Sequence, residues 1–488
     1  MCGASRLLRL RRHWGIVALL IIAGAVYAST RDVYGMLMWD EAEYASLARA
    51  LVRGTGYSVA GAPEALRPPL LPLAAATVLW SYGGANDAAI RSAAIGLALL
   101  ALASLYAAVA RVYDRSTGLA ASALLASMPW FWTATPHLLS EILFLTLFAA
   151  ALFAWSCGLT RDARWFPASW LCLGGAFLVR YTALLFGPLA LLLLLVELRH
   201  DGAAVWRRVR SPACALAPLL GALVVAPWLV RQTLLFGDPL VGVRQASTQL
   251  QVYQPNISMP WWQYLVGLPV MLSWPTLGLA VAGAWWALRR DDRFALHCVV
   301  VAAGVLIWFS AYRYKEPRLI SSLLPAAAVL AALGVTRGLF GRAPGAAVAV
   351  LTGAIAVSNF GATRPTFAYD RTLGYPSFLD AMAFVRQHSS AEALVVGPNP
   401  PQISWYADRK CIDFPEQPAL AALLARADWV VITNFERGQK AYVPQLAQRI
   451  PAAAFDDGSA ARFGDDRFAT LVVRAARLRE ALARRAAE

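Results

Sequence analysis

Long apolar runs alternate with short arginine-rich segments for most of the chain, and the pattern changes character near residue 362. A membrane-spanning helix needs roughly 17–25 mostly apolar residues, whereas runs of about 10–14 suit interfacial or re-entrant pieces. On that criterion the sequence predicts eleven spans: 14–30, 88–110, 116–136, 139–159, 165–179, 182–198, 211–230, 263–288, 294–311, 319–336 and 344–361. The first could instead be a signal peptide, since Val26-Tyr27-Ala28 offers a cleavage site after a basic start. A further apolar run, Leu70–Tyr82, is short, opens at Pro68-Pro69 and stops at Gly83-Gly84. It predicts an interfacial or re-entrant helix.

From about residue 362 charges become dense and apolar runs shrink to strand length. Ala393–Gly397, Asp428–Thr433 and Ala469–Arg474 predict buried strands, with helices near 377–388, 417–426 and 440–449. The expected fold is therefore a polytopic α-helical membrane protein of about eleven transmembrane helices followed by a small α/β domain. The domain limits are 1–361, including a first outer loop at 31–87, and 362–488.

Composition supports the membrane reading: 59% of the 488 residues are hydrophobic and 15% charged, against about 25% charged in ordinary soluble domains. The net charge of +15 would suit a nucleic-acid partner, but no basic stripe or zinc-finger spacing accompanies it. Its distribution supplies another cause. With the N-terminus inside and Leu70–Tyr82 not crossing, the inner segments hold 17 basic and 6 acidic residues, Arg6–Arg12 and Arg342 among them. The outer loops carry 11 basic and 9 acidic residues, and the C-terminal segment 16 and 14. Counting Leu70–Tyr82 as a span would reverse this bias, so the positive-inside rule favours its exclusion. The same topology places the C-terminal domain outside. Arginine- and alanine-rich usage suits a GC-rich bacterial genome, so the expected location is the inner membrane with that domain in the periplasm. Six cysteines show neither a disulfide framework nor metal-ligand spacing, and Cys2 follows no lipoprotein-type run.

The first outer loop concentrates polar chemistry. Met38-Trp39-Asp40-Glu41-Ala42-Glu43-Tyr44 follows the first span directly and opens a helical pattern that ends at Gly54. Tyr44, Leu47, Ala48, Leu51 and Val52 share one face and Ser46, Arg49 and Arg53 another, as in a helix lying in the membrane interface. Asp40 and Glu41 fall in the first turn, where the helix dipole favours carboxylates. Simple capping would explain acids there, but three in four positions beside a membrane exceed what capping needs. Asp40 and Glu43, three apart, lie on one side. Further polar places face the same compartment: Glu141 after Ser140, Arg180-Tyr181, and Arg313-Tyr314-Lys315-Glu316-Pro317-Arg318. Ionisable groups at membrane depth are costly and mark function, although arginines at span ends also serve as interfacial anchors. His137 lacks companion ligands for a metal site.

An Asp-Glu pair outside the first span, Arg67-Pro68-Pro69-Leu70 in the same loop, Glu141, Pro227-Trp228-Leu229-Val230-Arg231 with Phe236-Gly237-Asp238-Pro239, and Pro317-Arg318-Leu319 with Leu324-Pro325 together resemble the GT-C superfamily of membrane glycosyltransferases. They are most similar to its branch of protein O-mannosyltransferases and the lipid A aminoarabinose transferase. The resemblance covers about residues 10–360 and rests on the order and topology of motifs that are individually weak. It implies transfer of a sugar from a polyprenyl-phosphate carrier to a lipid, glycan or protein acceptor at the outer face, usually with inversion. It further implies Asp40 as the base, with Glu41 and Glu43 orienting sugar or acceptor. Glu141 would be a second sugar contact, and Arg318, Lys315 and Arg67 a phosphate clamp, with Arg180, Tyr181 and Arg313 as further binding candidates. Two departures bear on the substrate: Glu43 stands where the aminoarabinose transferase is basic, and Glu141 where Asp is common. No cofactor is expected; some superfamily members use a divalent metal, but this branch does not suggest one. Two other classes remain: a transporter or lipid flippase, which would show internal repeats and mid-membrane charges, and a scaffold anchoring the outer domain, which leaves the acids after the first span unexplained.

Overall fold

A computed structural model describes residues 13–31, 35–84, 86–252, 258–338, 345–371, 375–434 and 440–487. The Arg6–Arg12 arm, Cys2 and Arg342 lie outside these residues. The chain divides into two compact units: Met1–Arg31, Ala65–Ala74 and Arg91–Phe367 form one, and Asp32–Glu64, Ala75–Ile90 and Ala368–Glu488 the other. The second thus takes in part of the first outer loop together with the C-terminal segment.

Among the described residues, the elements of the first unit are helices joined by short loops. Seven helices there are long and apolar enough to cross a membrane: Asp87–Val112, Ser140–Thr160, Tyr181–Val209, Pro212–Phe236, Arg293–Ser310, Pro317–Gly338 and Gly345–Phe367. Loop carboxylates mark helix starts. Asp114 and Asp292 accept hydrogen bonds from the Thr117 and Ala295 N–H groups at 2.8 and 2.9 Å, capping the helices that follow. Ser211 caps the helix closed by left-handed Gly237 (φ 73°).

Several predicted spans take another form. Trp14–Ser29 and Trp165–Phe177 are shorter helices of 16 and 13 residues. The 116–136 run is interrupted at Met128, because Pro129 cannot donate to the preceding turn and opens a new helix. The 263–288 run is not one straight span: Gln263–Leu272 and Trp274–Arg290 bend by 109°. The bend is at Ser273 (φ 74°), whose hydroxyl caps the second helix by accepting from the Thr276 N–H. As its length predicts, Leu70–Ser81 forms a 12-residue apolar helix.

Helix packing depends on small residues and on buried polar pairs. A methyl added to Gly283 would lie 1.8 Å from the Leu330 carbonyl oxygen, and one on Gly334 would lie 2.3 Å from that of Leu279. Trp274–Arg290 and Leu324–Leu333 therefore meet backbone to backbone, as small residues permit in membranes. Glu197, fully buried, lies 3.1 Å from His297 Nε2 and 3.4 Å from Arg293, while His297 Nδ1 meets the Ser156 hydroxyl at 2.9 Å. An apolar groove of about 340 Å³ runs beside this cluster, lined by Leu145, Thr146, Phe153, Ser156, His297 and Val329 among others.

The second unit holds a short hairpin, β1 (Ser58–Val59) with β2 (Ala62–Pro63), and a five-stranded sheet. Its strands are β3 (Leu394–Val396), β4 (Lys410–Ile412), β5 (Trp429–Thr433), β6 (Ala460–Phe463) and β7 (Thr470–Arg474), in the order β4-β3-β5-β7-β6. β3 is parallel to β4 and β5, and β7 is antiparallel to β5 and β6. Val395, Trp429, Val431 and Val472 enter one core, and Val396, Val430, Ile432 and Val473 the other. Cover on both faces explains why β5 reads as an unbroken apolar run. β4 and β6 escaped the sequence reading because these edge strands carry exposed positions.

Gly283→Ala should lower stability by about 1–3 kcal/mol or more through overpacking. Gly96→Ala, where no atom lies within 4 Å of the added methyl, should be neutral. Thermal unfolding of the detergent-purified protein distinguishes the two; equal midpoints would refute the close backbone contact.

Candidate active site

In the second unit the first-loop helix runs from Trp39 to Val52, so Asp40 is its second residue. Asp40 and Glu43 are half-buried. Glu41 is 1% exposed, and its Oε2 accepts a hydrogen bond from the Met38 N–H at 3.1 Å. One oxygen of this carboxylate is therefore committed to capping, the plainer of the roles open to acids at a helix start.

The polar face of the same helix is covered too. Arg49 is 8% exposed, and its guanidinium donates to the carbonyls of Ser404 and Trp405 at 2.7 and 2.9 Å. It also lies 3.3 Å from Asp408 and 4.9 Å above the Trp405 ring. Burial pulls the Arg49 guanidinium down to about 10, with Asp408 opposing the shift. Arg53 binds Asp408 through both carboxylate oxygens, at 2.8 and 3.1 Å, and this hydrogen bonding holds Asp408 below the usual carboxylate range. Gln402 donates to the Leu37 carbonyl at 3.0 Å, and the Tyr406 hydroxyl accepts from the Leu37 N–H while donating to Asp87 at 2.6 Å. Trp405 donates to the other oxygen of Asp87 at 2.7 Å. All five partners, Gln402, Ser404, Trp405, Tyr406 and Asp408, belong to the helix Pro400–Ala407 or its C-terminal edge.

The remaining candidates lie in the first unit. Glu141, 1% exposed, opens the helix Ser140–Thr160 and forms an ion pair with Arg180, whose Nη1 also reaches the Ser140 hydroxyl at 3.0 Å. Two motifs some forty residues apart in the chain are thus one cluster. Tyr181, next to Arg180, accepts from Trp228 Nε1 at 3.2 Å and donates to the Ala65 carbonyl at 3.4 Å. Gln232 donates to that same carbonyl at 2.8 Å, so two side chains hold the segment that leads to half-buried Arg67.

The loop before the helix starting at Pro317 uses its charges differently. Lys315 is buried, and its ammonium donates to the carbonyls of Tyr312 and Met259, the latter at 3.1 Å. It staples the loop rather than presenting a free cation. Arg318 pairs with Glu316 at 2.8 Å and is about one-third exposed (38%). Arg313 is exposed at the surface of this unit, and its carbonyl accepts from the Met259 N–H at 2.9 Å.

Sequence analysis did not single out Gln402, Tyr406 or Gln232, since no motif or spacing marks them. Trp228 stands in the Pro227–Arg231 motif, but nothing in its spacing names Tyr181. The signal for buried Glu197 is its position directly after the apolar run Leu191–Val196.

Residues 67–230 match the family model described as dolichyl-phosphate-mannose-protein mannosyltransferase. No curated protein sequence matches the chain. Among solved structures, it is similar to ArnT from Cupriavidus metallidurans bound to undecaprenyl phosphate, with 16% identity, 93% of this chain and 97% of that one covered, and a TM-score of 0.72. It also resembles the oligosaccharyltransferase of Archaeoglobus fulgidus in its apo form (12% identity, 87% and 70% covered, TM-score 0.62). A second form, AglB from Archaeoglobus fulgidus in complex with an inhibitory peptide and a dolichol-phosphate, gives 11% identity, 86% and 69% covered, and a TM-score of 0.55. The chain has the fold of ArnT over nearly its whole length, and a match to the mannosyltransferase family model confined to residues 67–230.

Proposed function

We propose that this protein is an integral-membrane glycosyltransferase that moves a sugar from a polyprenyl-phosphate donor to a lipid, glycan or protein acceptor at the periplasmic face, with inversion. The observation that carries the reading is the pairing of a GT-C fold across nearly the whole chain with half-buried Asp40 in the first turn of the first-loop helix. The lipids named with two structural neighbours, undecaprenyl phosphate and a dolichol-phosphate, support the donor class.

The chemistry follows from the donor. A polyprenyl phosphate leaves readily as an anion, so a general acid is dispensable. An acceptor hydroxyl or amine attacks the anomeric carbon, the carbon–oxygen bond to phosphate breaks, and the acceptor proton passes to the Asp40 carboxylate. Arg67 and Arg318 hold the phosphate, for which a guanidinium fork is suited. Lys315 acts here on the loop that carries Arg318. Glu141, oriented by Arg180, contacts the sugar, and Glu43 assists at the acceptor. The apolar groove in the first unit takes the polyprenyl chain, which needs only apolar walls. In this reading the chain crosses a bacterial inner membrane many times, with its N-terminus cytoplasmic and its C-terminal domain periplasmic.

Asp40→Asn should reduce transfer by about 10²- to 10⁴-fold, the usual worth of a general base, without changing the amount of protein in the membrane. The measurement is mass spectrometry of envelope glycans and glycolipids in a deletion strain complemented by each form; near-normal product with Asp40→Asn would sink the assignment. Arg180→Ala should destabilise the protein by about 3–5 kcal/mol, because it strands the buried Glu141 carboxylate. Glu141→Gln keeps the shape and an oxygen for Arg180, and should lose transfer with a smaller drop in the unfolding midpoint than Arg180→Ala; an equal drop in midpoint would make Glu141 structural only.

A further inference from the structure

The C-terminal part of the chain contains no catalytic motif, yet its helix Pro400–Ala407 touches the segment immediately before Asp40. Gln402 and Tyr406 bind the two backbone groups of one residue, Leu37: the amide of Gln402 donates to its carbonyl and the hydroxyl of Tyr406 accepts from its N–H. Met38, the next residue, donates its N–H to Glu41. Trp39 then sits at φ 21°, a backbone region that a side chain of its size rarely adopts. Such a conformation persists only where its neighbours over-determine it, and residues 37 and 38 on one side and the buried helix on the other do so. Arg49 completes the hold three turns further along, by bonding the carbonyls of Ser404 and Trp405.

These contacts do more than stabilise. A hydrophobic contact fixes how close two elements lie but tolerates sliding; hydrogen bonds to both backbone groups of Leu37 fix the orientation of the chain that enters the helix. The side chain three residues on, that of Asp40, inherits this orientation. We propose that Gln402 and Tyr406 are positioning residues for the catalytic base, so that the helix Pro400–Ala407 forms part of the active-site scaffold. The proposal rests on the reading of Asp40 as the base. Asp87 extends the arrangement: by accepting from Trp405 and Tyr406, it sets the direction of the Tyr406 hydroxyl and leaves that oxygen's lone pair for Leu37.

Two substitutions remove a bond while conserving shape. Tyr406→Phe keeps the ring and loses the hydroxyl; Gln402→Glu keeps the length and replaces the donating amide. In the full-length protein, assayed with a polyprenyl-phosphate-linked sugar as donor, each should lower kcat by about 10- to 100-fold, as small misplacements of a reacting group do. KM for the donor should stay within about twofold, since uniform binding is untouched. Backbone hydrogen exchange should rise for the peptide covering residues 36–44. Combining either change with Asp40→Asn should add nothing to the loss from Asp40→Asn alone, because residues that act through one another are not additive.

Full kcat in both single variants, or losses that multiply with Asp40→Asn, would overturn the positioning role. If Asp40→Asn itself transfers normally, the assignment of the base fails, an outcome separable from the first. Should either variant unfold, the other carries the test, since the two bonds are made from different side chains.

Discussion

Hydrocarbon donates and accepts no hydrogen bonds, and the structure of the first unit follows from that single condition. Backbone groups must pair within each segment, so every described element there is a helix. Side-chain charges at depth must find partners, so Glu141 is matched by Arg180 and Glu197 by Arg293. Lys315, in the loop before Pro317, is likewise held by two carbonyls. Each pairing joins segments far apart in the chain, so the electrostatic cost of burial also fixes which helix faces which. Where no charge is available, close approach does the same work, as in the backbone contact at Gly283 and Gly334.

The second unit meets a different condition. Its sheet is covered on both faces, and the cover on one face includes Met36 from the first loop beside residues of the C-terminal segment. Apolar packing on both faces of the sheet stabilises it, and polar contacts define orientation. Arg49 shows the combination: a buried guanidinium that stacks on Trp405 and bonds two carbonyls cannot be replaced by an apolar residue without leaving those carbonyls unmet. The consequence for chemistry is that a loop placed by sequence next to the membrane is organised by residues more than three hundred positions later.

Much of the helical plan could be read from the sequence because its signals are local. Apolar length predicted a short helix over Leu70–Tyr82, which forms as Leu70–Ser81. The break at Ser273 was missed although Pro269 and Pro275 flank it, since the hydropathy of the run is continuous and proline is tolerated within membrane helices, as at Pro218 and Pro227. In the C-terminal segment the central strands were evident from unbroken valine and isoleucine, while the edge strands were not. For the site, the acids themselves were legible as charges in unusual places. That it is Glu41 whose carboxylate takes the capping role weighed for these acids, or that Lys315 faces carbonyls, was not.

The sequence by itself determined the medium, the helical class, the sense of insertion expected from its arginines, and the few polar residues worth suspecting. These depend on composition and on spacing within a turn or two, which local physics sets. Only the tertiary structure decided which of those residues meet: Glu141 with Arg180, Tyr181 with Trp228 and Ala65, and Leu37 with Gln402 and Tyr406. Such pairings depend on side-chain direction and on contacts across hundreds of residues, where many arrangements share one hydropathy pattern and the need to satisfy each buried polar group selects among them.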